Sequence, residues 1–367
     1  MGWCFTIRIL QVCPRDYESI GGVECTVKKL CEGLKSRSHE VSVVCGSSSS
    51  KTEIVEKDGI RVVKVPTYAP SNSFHVPKNR KMVAEAIGND VDIVHTHSAH
   101  SVISMLPLEL KRSPKAAWNL VYSMHFSTPG YTFFRSFLWQ AFWKRRINSG
   151  LKYVDAVHST SLLESKSVRS QFSNADGKVF IVPLGLDEDV FSNHWKGMDS
   201  DYILYCGRVE KYKRVDLAVK AIEKTRDWGI SVKFLIVGDG SHVGYYKRIA
   251  EKKGWIACLP HRQRGEYLEL LSNARAVINL SSAENFNLFL AEACAVGVPI
   301  IATPEALAFC PQYANVNRLE TDYVAKVVAG ALSDSGVYAF PRTFVPLSWK
   351  EATGQFEELY EKLLEAS

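Results

Sequence analysis

Much that would place this chain at a glance is missing from it. Its nine cysteines contain no Cys-x-x-Cys pair, and no histidine spacing completes a zinc set, so a structural zinc module is excluded. An odd number of singly scattered cysteines suits reduced, mostly buried thiols, and a cytoplasmic protein is expected. No apolar run approaches the ~18–20 residues that span a bilayer. The opening MGWCFTIRILQVCP has neither a basic start nor a cleavage pattern, so no secretory signal is expected. Its match to Met-Gly-x-x-x-Thr is short, and Thr6 already falls in a strand pattern. Neither G-x-G-x-x-G nor G-K-[ST] occurs, so the dinucleotide fingerprint and the P-loop are both absent. No short repeat occurs, and Ser47–Ser50 is the sole low-complexity tract. Acidic residues are scarce in one region: residues 101–150 hold seven Lys or Arg and only Glu109 against them. With the net charge of +6, this suits a phosphate-bearing ligand, a nucleic acid or an anionic membrane surface.

What is present is an alternation of β-type apolar runs with helical patterns. It predicts an α/β chain of parallel sheets with crossover helices. TIRILQVC (6–13) reads as a strand, and GGVECTVKKLCEGLKS (21–36) as a glycine turn and a helix with Val27, Leu30, Cys31 and Leu34 on one stripe. HEVSVVCG, IRVVKVP, DIVHTH, LVYSMHF, DAVHST and VFIVPLG continue the strands. The alternation restarts at DYILYCG (201–207), after the polar SNHWKGMDS, which places a boundary near 188–200. Two doubly wound, Rossmann-like domains follow, 1–190 and 191–348, with strand C-terminal ends expected to face a central cleft where ligands bind. The chain ends in an amphipathic helix over 349–367.

The stretch SSAENFNLFLAEACAVGVPII (281–301) carries the sharpest chemistry. A helix from Leu288 to Val296 is predicted, capped by Gly297 with Pro299 beyond. Asn287 precedes it in an N-cap or left-handed turn, and the N–H groups at that end suit a phosphate. Glu292 lies about one turn inside and can accept two ribose hydroxyls; alternatively it offsets the helix dipole. Glu284, on the incoming loop, can reach a sugar across a diphosphate or simply be solvated. GRVEKYKRVD (207–216) offers Arg208 and Lys213 as a phosphate pair or a solvated basic turn. Gly22, in SIGGVE, and Gly238, in VGDGS, sit in strand-end glycine turns where a backbone can approach a ligand. His95 and His97 share a strand face. A metal needs a third ligand that the sequence does not supply nearby, so hydrogen bonding at strand ends is the expected role of His97 and His125. In YTFFRSFLWQAFWKRRINSG (131–150) Phe134, Phe137, Leu138, Ala141 and Phe142 form one helical stripe. Trp139 and Trp143 fall away from it beside Arg135 and Arg146, suited to an anionic membrane interface or to packing under a neighbouring loop.

Taken in order, the glycine turn and helix at 21–34, DIVHTHS, SMHFS, DAVHSTS, VPLGLDEDVF, GRVEKYKRVD, FLIVGDGS, the 281–303 stretch and the terminal SWKEATGQFEELY resemble the retaining glycosyltransferases of family 4, with the GT-B fold. The resemblance implies an acceptor-side N-terminal domain and a C-terminal domain for the nucleotide-sugar, with the last helix crossing back to the first domain. It implies that Arg208 and Lys213 bind the diphosphate and that Glu284 contacts the transferred sugar. Glu292 holds the ribose in the same family's E-x7-E motif. Gly22 lies in the loop that closes over the phosphates, and His125 is the strand-end histidine near the donor sugar. No metal and no cofactor are implied, the donor being a nucleotide-diphosphate sugar and the acceptor a sugar, glycan or lipid-linked hydroxyl. The enzyme is then cytoplasmic, or peripheral on the inner face of the membrane. Asn285, Asn287, Arg214 and Leu184 depart from the family's usual Gly, Gly, Gly and Asn. The competing readings are a nucleotide-sugar epimerase of the same fold and an inactive sugar- or nucleic-acid-binding relative. The basic aromatic segment suits the latter, although no nucleic-acid motif accompanies it.

Overall fold

The computed structural model describes residues 6–19, 21–70, 74–126, 139–341 and 344–366. The chain divides into two compact units, 1–184 with 349–367, and 185–348.

In the first unit the strands are β1 (Arg8–Cys13), β2 (Glu40–Ser47), β3 (Glu53–Lys57), β4 (Ile60–Tyr68), β5 (Val76–Pro77), β6 (Ile93–His97), β7 (Asn119–Ser123), β8 (Ala156–Ser159) and β9 (Val179–Ile181). The sheet order is β3-β4-β2-β1-β6-β7-β8-β9, with β5 on β4. Among the described strands only β3 and β5 run antiparallel to their neighbour β4. The helices are α1 (Gly22–Ser36), α2 (Arg80–Ile87), α3 (Val102–Leu110), α4 (Lys144–Leu151) and α5 (Leu162–Gln171). The central strands are buried on both faces because helices cover both. Val27, Leu30, Cys31 and Leu34 form the buried stripe of α1.

In the second unit β10 (Tyr202–Cys206), β11 (Lys233–Val237), β12 (Ile256–Leu259), β13 (Ala276–Asn279) and β14 (Ile300–Ala302) make an all-parallel sheet, ordered β12-β11-β10-β13-β14. The longer helices here are α6 (Val215–Asp227), α7 (Val243–Lys252), α8 (Arg264–Ser272), α9 (Leu288–Val296) and α10 (Thr321–Ser333), with single turns at Glu188–Phe191 and Ser335–Tyr338. The chain winds outward from β10 through β11 to β12, then returns to the other side of β10 for β13. That reversal is a topological switch point, where the C-terminal strand ends leave room for a ligand. The last helix, α11 (Trp349–Glu365), belongs to the first unit: Phe356, Leu359 and Tyr360 pack with Ile9, Leu30 and Leu34. Two side-chain contacts fasten it further. Arg37 Nη1 lies 2.6 Å from Glu357 Oε2, and His39 Nε2 lies 2.8 Å from Glu357 Oε1.

The segment 131–150 departs from the single amphipathic helix expected. Phe134, Phe137, Leu138 and Arg135 lie outside the described residues, as does the side chain of Ala141. Trp139–Trp143 form a π-helical turn, and α4 begins only after it. A π turn holds more residues than an α turn, so the faces beyond it rotate. Phe142 therefore emerges 66% exposed, although it belonged to the expected apolar stripe. Trp139 is only 3% exposed and stacks on Phe126 at 5.0 Å, while Trp143 stacks on Phe74 at 5.6 Å. Both tryptophans pack within the unit rather than forming a free second face. Among the described residues Cys13, Cys31, Cys45, Cys294 and Cys310 are buried thiols outside any disulfide, and Cys25 is exposed.

Candidate functional site

Three strand ends meet at the switch point of the second unit. Beyond β10 the chain turns at Gly207, and beyond β11 at Gly238 and Gly240, all with φ between +130° and +153°. A Cβ on Gly238 would stand 2.3 Å from the Gly207 carbonyl oxygen, and one on Gly240 would stand 2.6 Å from that of Val209. No side chain fits there, so glycine is required for these two turns to interlock. Val209 N–H donates to the Asp239 carbonyl at 2.8 Å and completes the contact.

Arg208 and Lys213, expected to serve one phosphate, have separate side-chain partners. Arg208 Nη2 donates to the Tyr212 hydroxyl at 3.0 Å and is exposed. Lys213 Nζ makes an ion pair with Glu284 Oε1, and the two side chains are 11% and 13% exposed. Ser281 Oγ donates to the same carboxylate oxygen at 2.7 Å. Ser282 N–H and Oγ reach the Tyr212 carbonyl at 2.9 and 3.2 Å, which zips the 281–284 loop onto the turn carrying Lys213. Glu284 is thus neither solvated nor alone. Arg214, with φ 52°, takes the left-handed conformation just before α6.

The helix α9 begins and ends where the sequence places it. Asn287 is its N-cap, with Oδ1 accepting from Leu290 N–H at 3.4 Å, and Gly297 caps the far end at φ 86°. Its first N–H groups otherwise lack partners within the helix. Leu288 opens the helix, half-buried. Two buried atoms of the loop, Asn285 Oδ1 and Asn287 Nδ2, have no hydrogen-bond partner among the described residues. Such atoms are rare in a settled fold and usually meet water or a ligand.

Glu292 is buried in α9 and held by α8. Arg264 Nη1 donates to Oε1 at 2.5 Å, and the Tyr267 hydroxyl donates to Oε2. Arg264 is shared: its Nε and Nη2 grip Asp189 at 2.9 and 2.8 Å. Burial raises the Glu292 carboxyl above its usual range, with Arg264 and then Tyr267 opposing the shift. Arg264 and Tyr267 carry no motif of their own. The spacing i, i+3 on α8 is the signal that brings them to one helix face.

In the first unit the corresponding switch point lies between β1 and β6. Gly22 opens α1 with no atom of the described residues within 4 Å of where its Cβ would stand, so no described side chain blocks approach there. Its neighbour Gly21 instead faces Arg15 and Glu24, which form an ion pair. His95 and His97 do share a sheet face, with ring centroids 4.2 Å apart. His125 follows β7 in the left-handed region, at φ 46°. All three, with His158, are driven below the usual imidazole value by burial first, to about 3 for His125 and about 4 for His158. His97 Nδ1 lies 3.2 Å from His125 Nε2, and its Nε2 lies 2.7 Å from Gln11 Oε1. His95 is bonded at both nitrogens, to Tyr360 and to Ser123. Among the described residues no group of three His, Cys, Asp or Glu is arranged for a metal ion. Gln11, Ser123, His158 and Tyr360 join this cluster. The signal of the first three is polarity within otherwise apolar central strands, whereas Tyr360 comes from α11.

The profile described as Glycosyltransferase Family 4 matches residues 20–190, and that described as Glycosyl transferases group 1 matches residues 187–315. The chain belongs to glycosyltransferase family 4. It is 23% identical over 365 residues to a phosphatidyl-myo-inositol mannosyltransferase of Mycolicibacterium smegmatis, covering 91% of this chain and 86% of the relative. It is 25% identical to the alpha-monoglucosyldiacylglycerol synthase of Acholeplasma laidlawii, covering 77% and 76%. Among solved structures, sucrose-phosphate synthase from Thermosynechococcus elongatus superposes with a TM-score of 0.75 at 16% identity, over 98% of this chain and 100% of that one. The pneumococcal O-GlcNAc transferase GtfA, in complex with UDP and GlcNAc, gives 0.67 at 11% identity over 98% and 99%. At such identities these likenesses establish the GT-B fold, built from two Rossmann-like units.

Proposed function

We propose that this glycosyltransferase moves a sugar from a nucleoside-diphosphate sugar to a hydroxyl of a lipid-linked acceptor, with retention at the anomeric carbon and without a metal. The observation that carries the donor reading is the state of Glu292. An ionised carboxylate has about four acceptor positions. Arg264 and Tyr267 occupy one on each oxygen, and the remainder suits the two neighbouring hydroxyls of a ribose. The start of α9 then takes a phosphate, because unpaired N–H groups and the helix dipole both favour an anion. Lys213 and Arg208 supply positive charge to the diphosphate as it leaves, where charge develops. Glu284 holds Lys213 beforehand and meets the transferred sugar. Gly22 approaches the phosphates by its backbone, Gly238 shapes the turn beside them, and Asn287 and Leu288 line the helix start. His125 receives a sugar hydroxyl. Asn285 Oδ1 and Asn287 Nδ2 complete hydrogen bonds with the sugar and so bear on which donor is accepted. The leaving diphosphate takes the proton of the attacking hydroxyl, and the new bond forms on the face the diphosphate leaves.

The acceptor reading rests on two relatives named for lipids, a phosphatidyl-myo-inositol mannosyltransferase and an alpha-monoglucosyldiacylglycerol synthase. Among the described residues no helix is long and apolar enough to cross a membrane. Phe142, exposed beside Lys144, Arg145 and Arg146, replaces the two tryptophans as the residue to meet an anionic surface. A thermal-shift screen across UDP-, GDP- and ADP-sugars tests the donor reading, since a ligand bound only by the folded state raises its apparent stability. One donor series raises the midpoint, and no response to any of them removes the proposal. Sedimentation with anionic liposomes tests the membrane contact, which Phe142→Ser weakens; indifference of the unaltered protein to liposomes ends it.

A further inference from the structure

The buried histidines of the first unit are joined end to end. His158 Nε2 lies 2.8 Å from the Val182 carbonyl, and its Nδ1 lies 2.6 Å from Ser123 Oγ. Ser123 Oγ lies 2.7 Å from His95 Nε2, and His95 Nδ1 lies 2.7 Å from the Tyr360 hydroxyl. Tyr360 is met by Gln11 Nε2 at 3.5 Å, the longest link. Gln11 Oε1 leads to His97 and His97 to His125. Every member except His125 is at most 1% exposed.

One end of this chain is fixed, because a backbone carbonyl can only accept. His158 must therefore carry its proton on Nε2 and present a bare Nδ1. Ser123 must donate to that nitrogen, so its oxygen accepts from His95, which is protonated on Nε2. His95 Nδ1 is then bare and takes the one Tyr360 proton. Tyr360 is left accepting, which turns the Gln11 amide nitrogen toward it and the amide oxygen toward His97. His97 is protonated on Nε2, and its bare Nδ1 accepts from His125 Nε2. The argument requires neutral rings, which full burial favours.

We propose that this relay of hydrogen bonds, anchored at the Val182 carbonyl and passing through Tyr360 of the last helix, fixes His125 as its Nε2–H tautomer with Nδ1 as a bare acceptor. Among the described residues no hydrogen bond reaches that Nδ1. Tyr360, Ser123, Gln11, His95, His97 and His158 are positioning residues, none of which touches the substrate. A neutral ring with a bare nitrogen accepts from a hydroxyl and cannot donate to a phosphate. This assigns His125 to a sugar or acceptor hydroxyl, and that part rests on the function proposed above. It also makes α11, which lies 235 residues from His125 at Tyr360, a determinant of the site.

Nitrogen NMR of the full chain labelled in histidine reads the tautomers directly, because protonated and bare imidazole nitrogens resonate far apart; His125→Asn assigns the signal. The unaltered protein shows His125 protonated on Nε2 alone. Tyr360→Phe removes the proton that His95 needs and releases the Gln11 amide, so His125 samples both tautomers. Ser123→Ala does the same from the other side, and Ser123→Thr restores the single form. Turnover falls roughly tenfold in the first two variants, with KM for the nucleotide-sugar unmoved. A His125 protonated on Nδ1 in the unaltered protein overturns the relay, as does a single unshifted tautomer in whichever of Tyr360→Phe and Ser123→Ala folds. A mixed tautomer with unaltered turnover keeps the relay and overturns the part assigned to His125 in transfer.

Discussion

The two switch points of this molecule are built on opposite electrostatic plans. In the second unit charged groups stand in contact: Lys213 with Glu284, and Arg264 between Asp189 and Glu292. In the first unit the histidine cluster at the same place in the fold carries no charge, since burial holds four imidazoles neutral, and the Arg15–Glu24 ion pair stands apart from it beside Gly21. A charged site suits binding and release of a diphosphate, because Lys213 has a resident carboxylate, Glu284, to return to. A neutral, directed site cannot attract charge, but it can hold one proton on one named atom. The contrast suits a division between holding a leaving group and orienting hydroxyls.

The sharpest way to break this contrast is at Glu284. Glu284→Gln removes the charge that holds Lys213 and the group assigned to the sugar. Turnover, followed as released nucleotide, should fall by about 10²–10³-fold, the scale of a lost transition-state contact. Affinity for the free nucleoside diphosphate should hold or tighten, because Lys213 is no longer committed. Equal loss in both would place Glu284 in ground-state binding instead.

Acid sharpens the other half. His158 falls from an ordinary value near 6.5 to about 4 on folding, so the unfolded chain binds the extra proton between those values. Stability is whole above pH 6.5 and is lost as pH falls toward 4. His158 alone contributes about 2 kcal/mol of loss between pH 6.5 and 5, at about 1.4 kcal/mol per pH unit. Urea midpoints measured at pH 7 and pH 5 should differ accordingly, and the difference should shrink in a folded His158→Gln variant.

How much of this was legible beforehand differs between the two units. The limits of α9, its Asn287 cap and its Gly297 stop were readable because each is a local rule of helix ends. The parallel alternation was readable because strands and helices differ in period. Partners brought by topology were not. Arg264 reaches Glu292 from another helix, and Tyr360 reaches His95 across 265 residues. The π turn at Trp139–Trp143 was hidden because one extra residue per turn leaves no mark in composition, yet it reverses which of Trp139 and Phe142 faces outward.

The smallest expected change lies at Glu292, and it bears most directly on the central claim that the second unit holds a nucleoside diphosphate by its ribose. Calorimetric titration of UDP, GDP and ADP into the unaltered protein and into folded Glu292→Ala protein measures it. One of the three should bind the unaltered protein, and the variant should bind it about 10–100-fold more weakly, the scale of about 1–3 kcal/mol for hydrogen bonds to a charged group. Equal affinity in the two proteins would contradict the assignment of Glu292, and no binding of any of the three would contradict the account of the site.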